Sequence, residues 1–80
     1  MSRVVNKNMD NLKNIAINIK KLRNTLNLTQ SEFSMLLGVK QSYISRIENG
    51  EKIPNVKLIM KIANVFEVTT DSLLMQQQAS

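Results

Sequence analysis

Residues 29–50 read TQSEFSMLLGVKQSYISRIENG, and this stretch decides the fold. Thr29 and Glu32 stand three apart ahead of an apolar run. That is the spacing of a capping box, in which the Thr hydroxyl takes the N3 amide and the Glu carboxylate takes the N-cap amide. Leu28 before the cap and Phe33 at N4 supply a hydrophobic staple. Phe33, Leu36 and Leu37 give this helix its apolar face. Gly38 stops it, because a residue just past a helix end takes up the left-handed conformation that glycine enters freely. Val39 and Lys40 lie in a tight turn. A second helix spans about Gln41 to Asn49, with Ile44 and Ile47 turned to the core and Gly50 at its end. The unit is a helix, a turn of three to four residues, and a helix.

Working outward, the N-terminal side carries Leu12, Ile15, Ala16, Ile19, Leu22 and Leu26 at the spacing of one helical stripe about four turns long. Asp10 is placed to cap this helix and Asn27 to stop it. Residues 1–10, MSRVVNKNMD, show no helical period and form a flexible basic arm with Arg3 and Lys7. The arm is either a frayed terminus or a contact to a phosphate backbone. On the C-terminal side Pro54 forbids continuation of the second helix. Asn55 caps a fourth helix whose core face is Val56, Ile59, Ile62, Ala63 and Phe66. Thr69 caps a short fifth helix with Leu73 and Leu74, and the Gln-rich residues 76–80 read as a disordered tail. The β-branched residues fall at helical spacing, so no strand is expected. The fold is all-α, five short helices around one core in a domain over residues 11–75.

Composition narrows the function. Eighty residues hold one domain. A hydrophobic share of 42% and a charged share of 21% are globular rather than disordered proportions. The chain has neither Cys nor His, which removes disulfides, Cys or His zinc sites, thiol nucleophiles and imidazole acid–base chemistry. No carboxylates pair at a pocket-like spacing, so neither an enzyme nor a cofactor or metal is expected. There is no apolar run of membrane-spanning length, and Met1–Asp10 lacks a signal-peptide core, which points to a cytoplasmic protein. Eleven Lys and Arg against six Asp and Glu give a net charge of +5. A small basic domain calls for an anionic partner, nucleic acid first.

In a helix-turn-helix the second helix enters the DNA major groove. Here its outer side carries Gln41, Ser42, Ser45, Arg46 and Asn49, with no acidic residue. Gln and Arg can each make two hydrogen bonds to one base edge, which direct readout requires. The competing reading of such a face is a solvated amphipathic helix. Glu48 lies one turn after Ile44, and Arg23 one turn after Ile19, so both lean inward. A buried carboxylate is costly unless paired, which argues for a salt bridge between them. Otherwise Glu48 is exposed and weakly repels DNA.

The runs Leu26–Phe33, Leu37-Gly38-Val39, Ser42–Gly50, Pro54 and Val68–Leu74 carry a resemblance. Through them residues 12–74 resemble the lambda-repressor-like DNA-binding domain, the Cro/cI or Xre-type family of helix-turn-helix regulators. The family consists mostly of bacterial and phage transcriptional regulators that bind operators in double-stranded DNA as homodimers. The resemblance assigns base reading to Lys40, Gln41, Ser42 and Arg46, with Arg46 suited to a guanine and Gln41 to an adenine. Tyr43 matches a position that meets the backbone or a thymine methyl. Gln30 matches one that contacts a phosphate and braces the first side chain of the recognition helix. Asn49, Lys52 and Asn55 match phosphate contacts, and the family has an Arg–Glu pair at Arg23 and Glu48.

Two departures stand out. Lys40 sits at the recognition-helix cap, where Ser or Thr is frequent, and it cannot accept the free amides there. Glu67 replaces the Gly common after helix four, which puts that turn in doubt. Leu58, Val65, Val68, Leu73, Leu74 and Met75 form the apolar patch available to a dimer, unless they complete the monomer core. Two rival uses of the same fold are an antitoxin and a protein-interaction module.

Overall fold

Five helices follow one another along the chain: α1 (Lys7–Thr25), α2 (Gln30–Leu37), α3 (Gln41–Glu48), α4 (Val56–Phe66) and α5 (Thr70–Leu74). The computed structural model describes residues 7–75, with side chains from Lys13 onward, and no strand occurs among them. The tail at residues 76–80 and the arm at residues 1–6, Arg3 included, lie outside the described residues. Helix α1 starts at Lys7, so Asp10 lies within it instead of capping it. Nothing between Lys7 and Asp10 breaks a helix, and the first turn needs no apolar stripe to form.

The capping box forms in full. Glu32 N–H donates to Thr29 Oγ1 at 3.0 Å, and Thr29 N–H donates to Glu32 Oε1 at 2.9 Å. Gly38 closes α2 at φ 70°. Its N–H donates to the Met35 carbonyl at 3.2 Å and the Val39 N–H to the Ser34 carbonyl at 3.0 Å, the paired bonds of a Schellman end. At the entry to α2, Asn27 takes the left-handed conformation at φ 59°, as its place after α1 requires.

Ile19, Phe33, Leu37, Ile44, Ile47 and Ile62 form the fully buried centre, and Phe33 stacks on Phe66 with ring centroids 5.2 Å apart. Two helix faces differ from the sequence reading. Leu36 is 53% exposed, because Phe33 and Leu37, one turn apart, aim α2 inward and carry Leu36 outward. Val56 is 71% exposed, because Leu58 and Ile62 orient α4 and put Val56 on its far side. Leu58 and Leu73, at 4% and 2%, therefore belong to the core and leave the proposed dimer patch. Helix α1 packs on α3 and α5, and α2 packs on α3 and α4. A buried amide fastens the last of these elements, since Asn18 Nδ2 donates to the carbonyls of Leu73 and Met75, each at 2.8 Å.

The turn after α4 keeps a glycine-type geometry without glycine. Glu67 sits at φ 56° and ψ 45°, and the Val68 N–H reaches the Ala63 carbonyl at 3.0 Å. A left-handed residue other than glycine costs about 1–2 kcal/mol, partly offset in a glycine variant by the greater freedom of its unfolded chain. Glu67→Gly should therefore raise stability by about 0.5–1 kcal/mol, lifting the thermal midpoint by a few degrees, whereas Glu67→Ala should give no such gain.

Candidate nucleic-acid interface

Helix α3 is fixed from behind. Ile44 and Ile47 sink into the core and leave Gln41, Ser42, Arg46 and Asn49 exposed on the other side, with Ser45 and Tyr43 half-buried. Lys40 occupies the N-cap at φ −75° and ψ 145° and makes no side-chain cap bond, as expected of an ammonium group. No side chain caps the first amides of α3, and the Tyr43 N–H turns back to the Lys40 carbonyl at 3.1 Å.

Tyr43 ties the recognition helix to the start of α4. Its hydroxyl accepts the Asn55 N–H at 3.2 Å, while Lys52 Nζ lies 5.9 Å from the ring centroid in a cation–π arrangement. Residues 51–54, with Pro54 buried, are thereby held against α3. The result is an open cleft of about 430 Å³ lined by Lys40, Ser42, Tyr43, Arg46, Lys52 and the Gly38 turn. No carboxylate lines it.

Behind this face lies the one buried charged pair among the described residues. Arg23 Nε donates to Glu48 Oε2 at 2.7 Å and Arg23 Nη2 to Glu48 Oε1 at 3.0 Å, a two-pronged pairing. The Glu48 side chain is only 1% exposed. Arg23 Nη1 also donates to the Leu28 carbonyl at 2.7 Å, joining the entry of α2 to the same centre. Hydrogen bonding to Glu48 raises the Arg23 pKa, against a smaller opposing effect of burial. Stability from this raised pKa is present below the ordinary arginine range and is lost only as pH rises above it. The guanidinium stays charged at physiological pH.

Most residues expected at the site converge, and some do other work. Lys40, Ser42, Tyr43, Arg46 and Lys52 share one cleft. Gln41 and Asn49 are exposed on the same helix and at its end. Asn55 spends its side-chain oxygen capping α4, accepting the Leu58 N–H at 2.8 Å. Gln30 Nε2 donates to Glu48 Oε1 at 3.1 Å, so its amide braces the buried carboxylate and not Gln41. Of the apolar patch, Val65, Leu74 and Met75 remain exposed and Val68 half-buried. The sequence reading missed Asn18, although it falls on the apolar stripe between Ile15 and Leu22, where a polar residue needs buried partners.

Taken together, these features describe a double-helical unit built to present one polar, cationic helix. Residues 19–73 match the helix-turn-helix profile HTH_3, and the chain belongs to this Xre/Cro-like family of DNA-binding transcriptional regulators. It is 42% identical over 55 residues to the antitoxin PezA of Streptococcus pneumoniae, a match covering 69% of this chain and 35% of that protein. It is 36% identical over 55 residues to an uncharacterized HTH-type transcriptional regulator of Archaeoglobus fulgidus, covering 69% and 78% of the two chains. The crystal structure of an HTH_3 family transcriptional regulator from Vibrio cholerae superposes with a TM-score of 0.76 at 27% identity, over 82% of this chain and 37% of that one. The chain thus spans about a third of the antitoxin and of the Vibrio regulator, at 35% and 37%.

Removing Arg23 would strand a buried carboxylate, a change that costs about 3–5 kcal/mol. Arg23→Ala should shift the urea midpoint accordingly. The double variant Arg23→Ala/Glu48→Ala should lose less than the sum of the single changes, since neither leaves the other's charge behind.

Proposed function

We infer that this chain is a sequence-specific repressor that binds an inverted-repeat operator in duplex DNA as a homodimer, with α3 in the major groove. The carrying observation is the exposed side of α3. A rigidly backed helix offers Gln41, Ser42 and Arg46 between Lys40 and Lys52, without an opposing carboxylate. Arg46 has the fork geometry for a guanine edge and Gln41 the paired donor and acceptor for an adenine. Lys52 and Asn49 suit the phosphate backbone, as does Gln30 through the amide hydrogen not given to Glu48, and such contacts set register and not sequence choice. The exposed Val65, Leu74 and Met75, with Val68 beside them, supply the surface for a second copy. Two recognition helices then lie about 34 Å apart, one turn of the duplex. Occupation of the operator excludes polymerase, and the work is done at the DNA in the cytoplasm of a bacterial or phage-infected cell.

The antitoxin reading draws support from the 42% identity to PezA. It uses the same DNA-binding face and adds a protein partner. Co-purification of a small, unrelated protein with the tagged chain would favour it.

Selection from a random duplex library at near-physiological salt should return an inverted repeat with half-sites about one helical turn apart. Absence of any enrichment would count against the regulator reading. On the selected site, Arg46→Ala should cost about 1–3 kcal/mol and relax preference at one base pair. Lys52→Ala should instead weaken all sequences alike and flatten the salt dependence by about one unit of slope. Equal losses for Arg46→Ala on selected and random duplex would refute its base-reading role.

A further inference from the structure

The cationic cleft at the start of α3 does not end there. It shares Gly38, Val39 and Tyr43 with a second open cleft of about 280 Å³, whose opposite wall is α4 with Lys57 and Lys61. The same two lysines edge a third cleft further along α4, beside Asn64 and Val68. Their spacing of four residues puts both on one face of the helix. Lys61 reaches back over the turn, with Nζ 3.6 Å from the point a Cβ on Gly38 would occupy. No Asp or Glu lines any of these clefts, and Arg23–Glu48 is the one ion pair among the described residues. Lys40, Arg46 and Lys52 on one cleft and Lys57 and Lys61 on the next therefore border adjoining clefts with no carboxylate in their linings, although the exposed Glu51 lies beside Lys52 in the chain.

A row of like charges raises the energy of the free protein unless an extended anion lies along it. We propose that Lys57 and Lys61 form a second phosphate-contacting strip, which grips the duplex backbone beyond the base pairs faced by α3, across the bare backbone of the Gly38 turn. The proposal rests on the DNA-binding reading above and adds α4 to the interface. A Cβ at residue 38 would only touch the Lys61 ammonium at ordinary contact distance, so it is the left-handed φ of 70° and not space that asks for glycine there. Lysine suits the task, because a compact ammonium meets a phosphate without the bidentate geometry that base reading demands. Contacts of this kind add affinity and register on every sequence equally. A purely structural role for Lys61 is also definable, since its charge lies at the C-terminal end of α2, where a cation is favoured.

The test is the salt dependence of duplex binding by the full chain, followed by fluorescence anisotropy, on both the selected site and a random duplex. The Lys57→Gln/Lys61→Gln variant is compared with Lys20→Gln/Lys21→Gln, which removes the same charge from α1. Each lost phosphate contact flattens the plot of log K against log salt by about 0.9. The α4 variant should flatten it by about 1.8 and bind both duplexes on the order of 30-fold more weakly at 0.15 M salt, with the thermal midpoint unchanged. An unchanged slope in the α4 variant, with wild-type binding intact, overturns the proposal and leaves the recognition-helix reading standing. An equal flattening by the α1 variant also overturns it, since the effect then belongs to net charge. A lowered midpoint with an unchanged slope assigns Lys61 to the end of α2 alone. If the unaltered chain binds neither duplex at any salt, the DNA-binding reading itself fails, and this proposal with it.

Discussion

A carboxylate without solvent has to be neutralised where it stands, and this domain is arranged around that requirement at Glu48. Arg23 on α1 supplies two hydrogen bonds to it, Gln30 on α2 supplies a third, and the Arg23 guanidinium also holds the Leu28 carbonyl. Three helices and the turn into α2 are thereby referred to one point. Apolar packing alone would tolerate small rotations of an eight-residue helix such as α3. A charged, directional pairing at its C-terminal end does not, because any misalignment leaves charge uncompensated in a medium of low polarity.

What this centre holds steady is the helix that faces outward. The buried Ile44 and Ile47 set how deep α3 lies, Glu48 sets its rotation, and Tyr43 ties its first turn to Asn55 at the start of α4. On the proposed DNA-binding reading such backing matters, since a helix free to roll would present Gln41 and Arg46 in many orientations and discriminate poorly. The core is small, and its aromatic content is concentrated in the stacked Phe33 and Phe66 that join α2 to α4. Helix α3 itself is mounted on α1 and α2, and α4 braces α2.

The parts of the fold written in short local signals could be read directly. Thr29 with Glu32, Gly38, Asn55 and Thr69 each act through bonds to amides within three residues or through a single backbone conformation, and each behaves as its chemistry dictates. The faces were harder. Leu36 and Val56 are as apolar as their neighbours, and only the packing of α2 against α4 decides which neighbours turn inward. Long-range polar bonds were readable in part. Arg23 and Glu48 announce themselves by charge at inward positions, whereas the bond from Gln30 to Glu48 requires knowing how closely α2 approaches the end of α3. Lys57 and Lys61 carry no local mark at all, because their relation to the Gly38 turn exists only once α4 has folded back over it.

Asn18 gives the chain a direction in time. Its amide is engaged by carbonyls 55 and 57 residues further on, at the end of a five-residue helix too short to persist alone. During synthesis at ~5–20 residues per second, roughly 3–11 s separate the making of Asn18 from the making of Leu73. For that interval α1 lacks the element that covers its inner polar group. The bonds that fasten α1 to α5 therefore cannot form until the chain has been made through Met75, after the residues of α2 through α4.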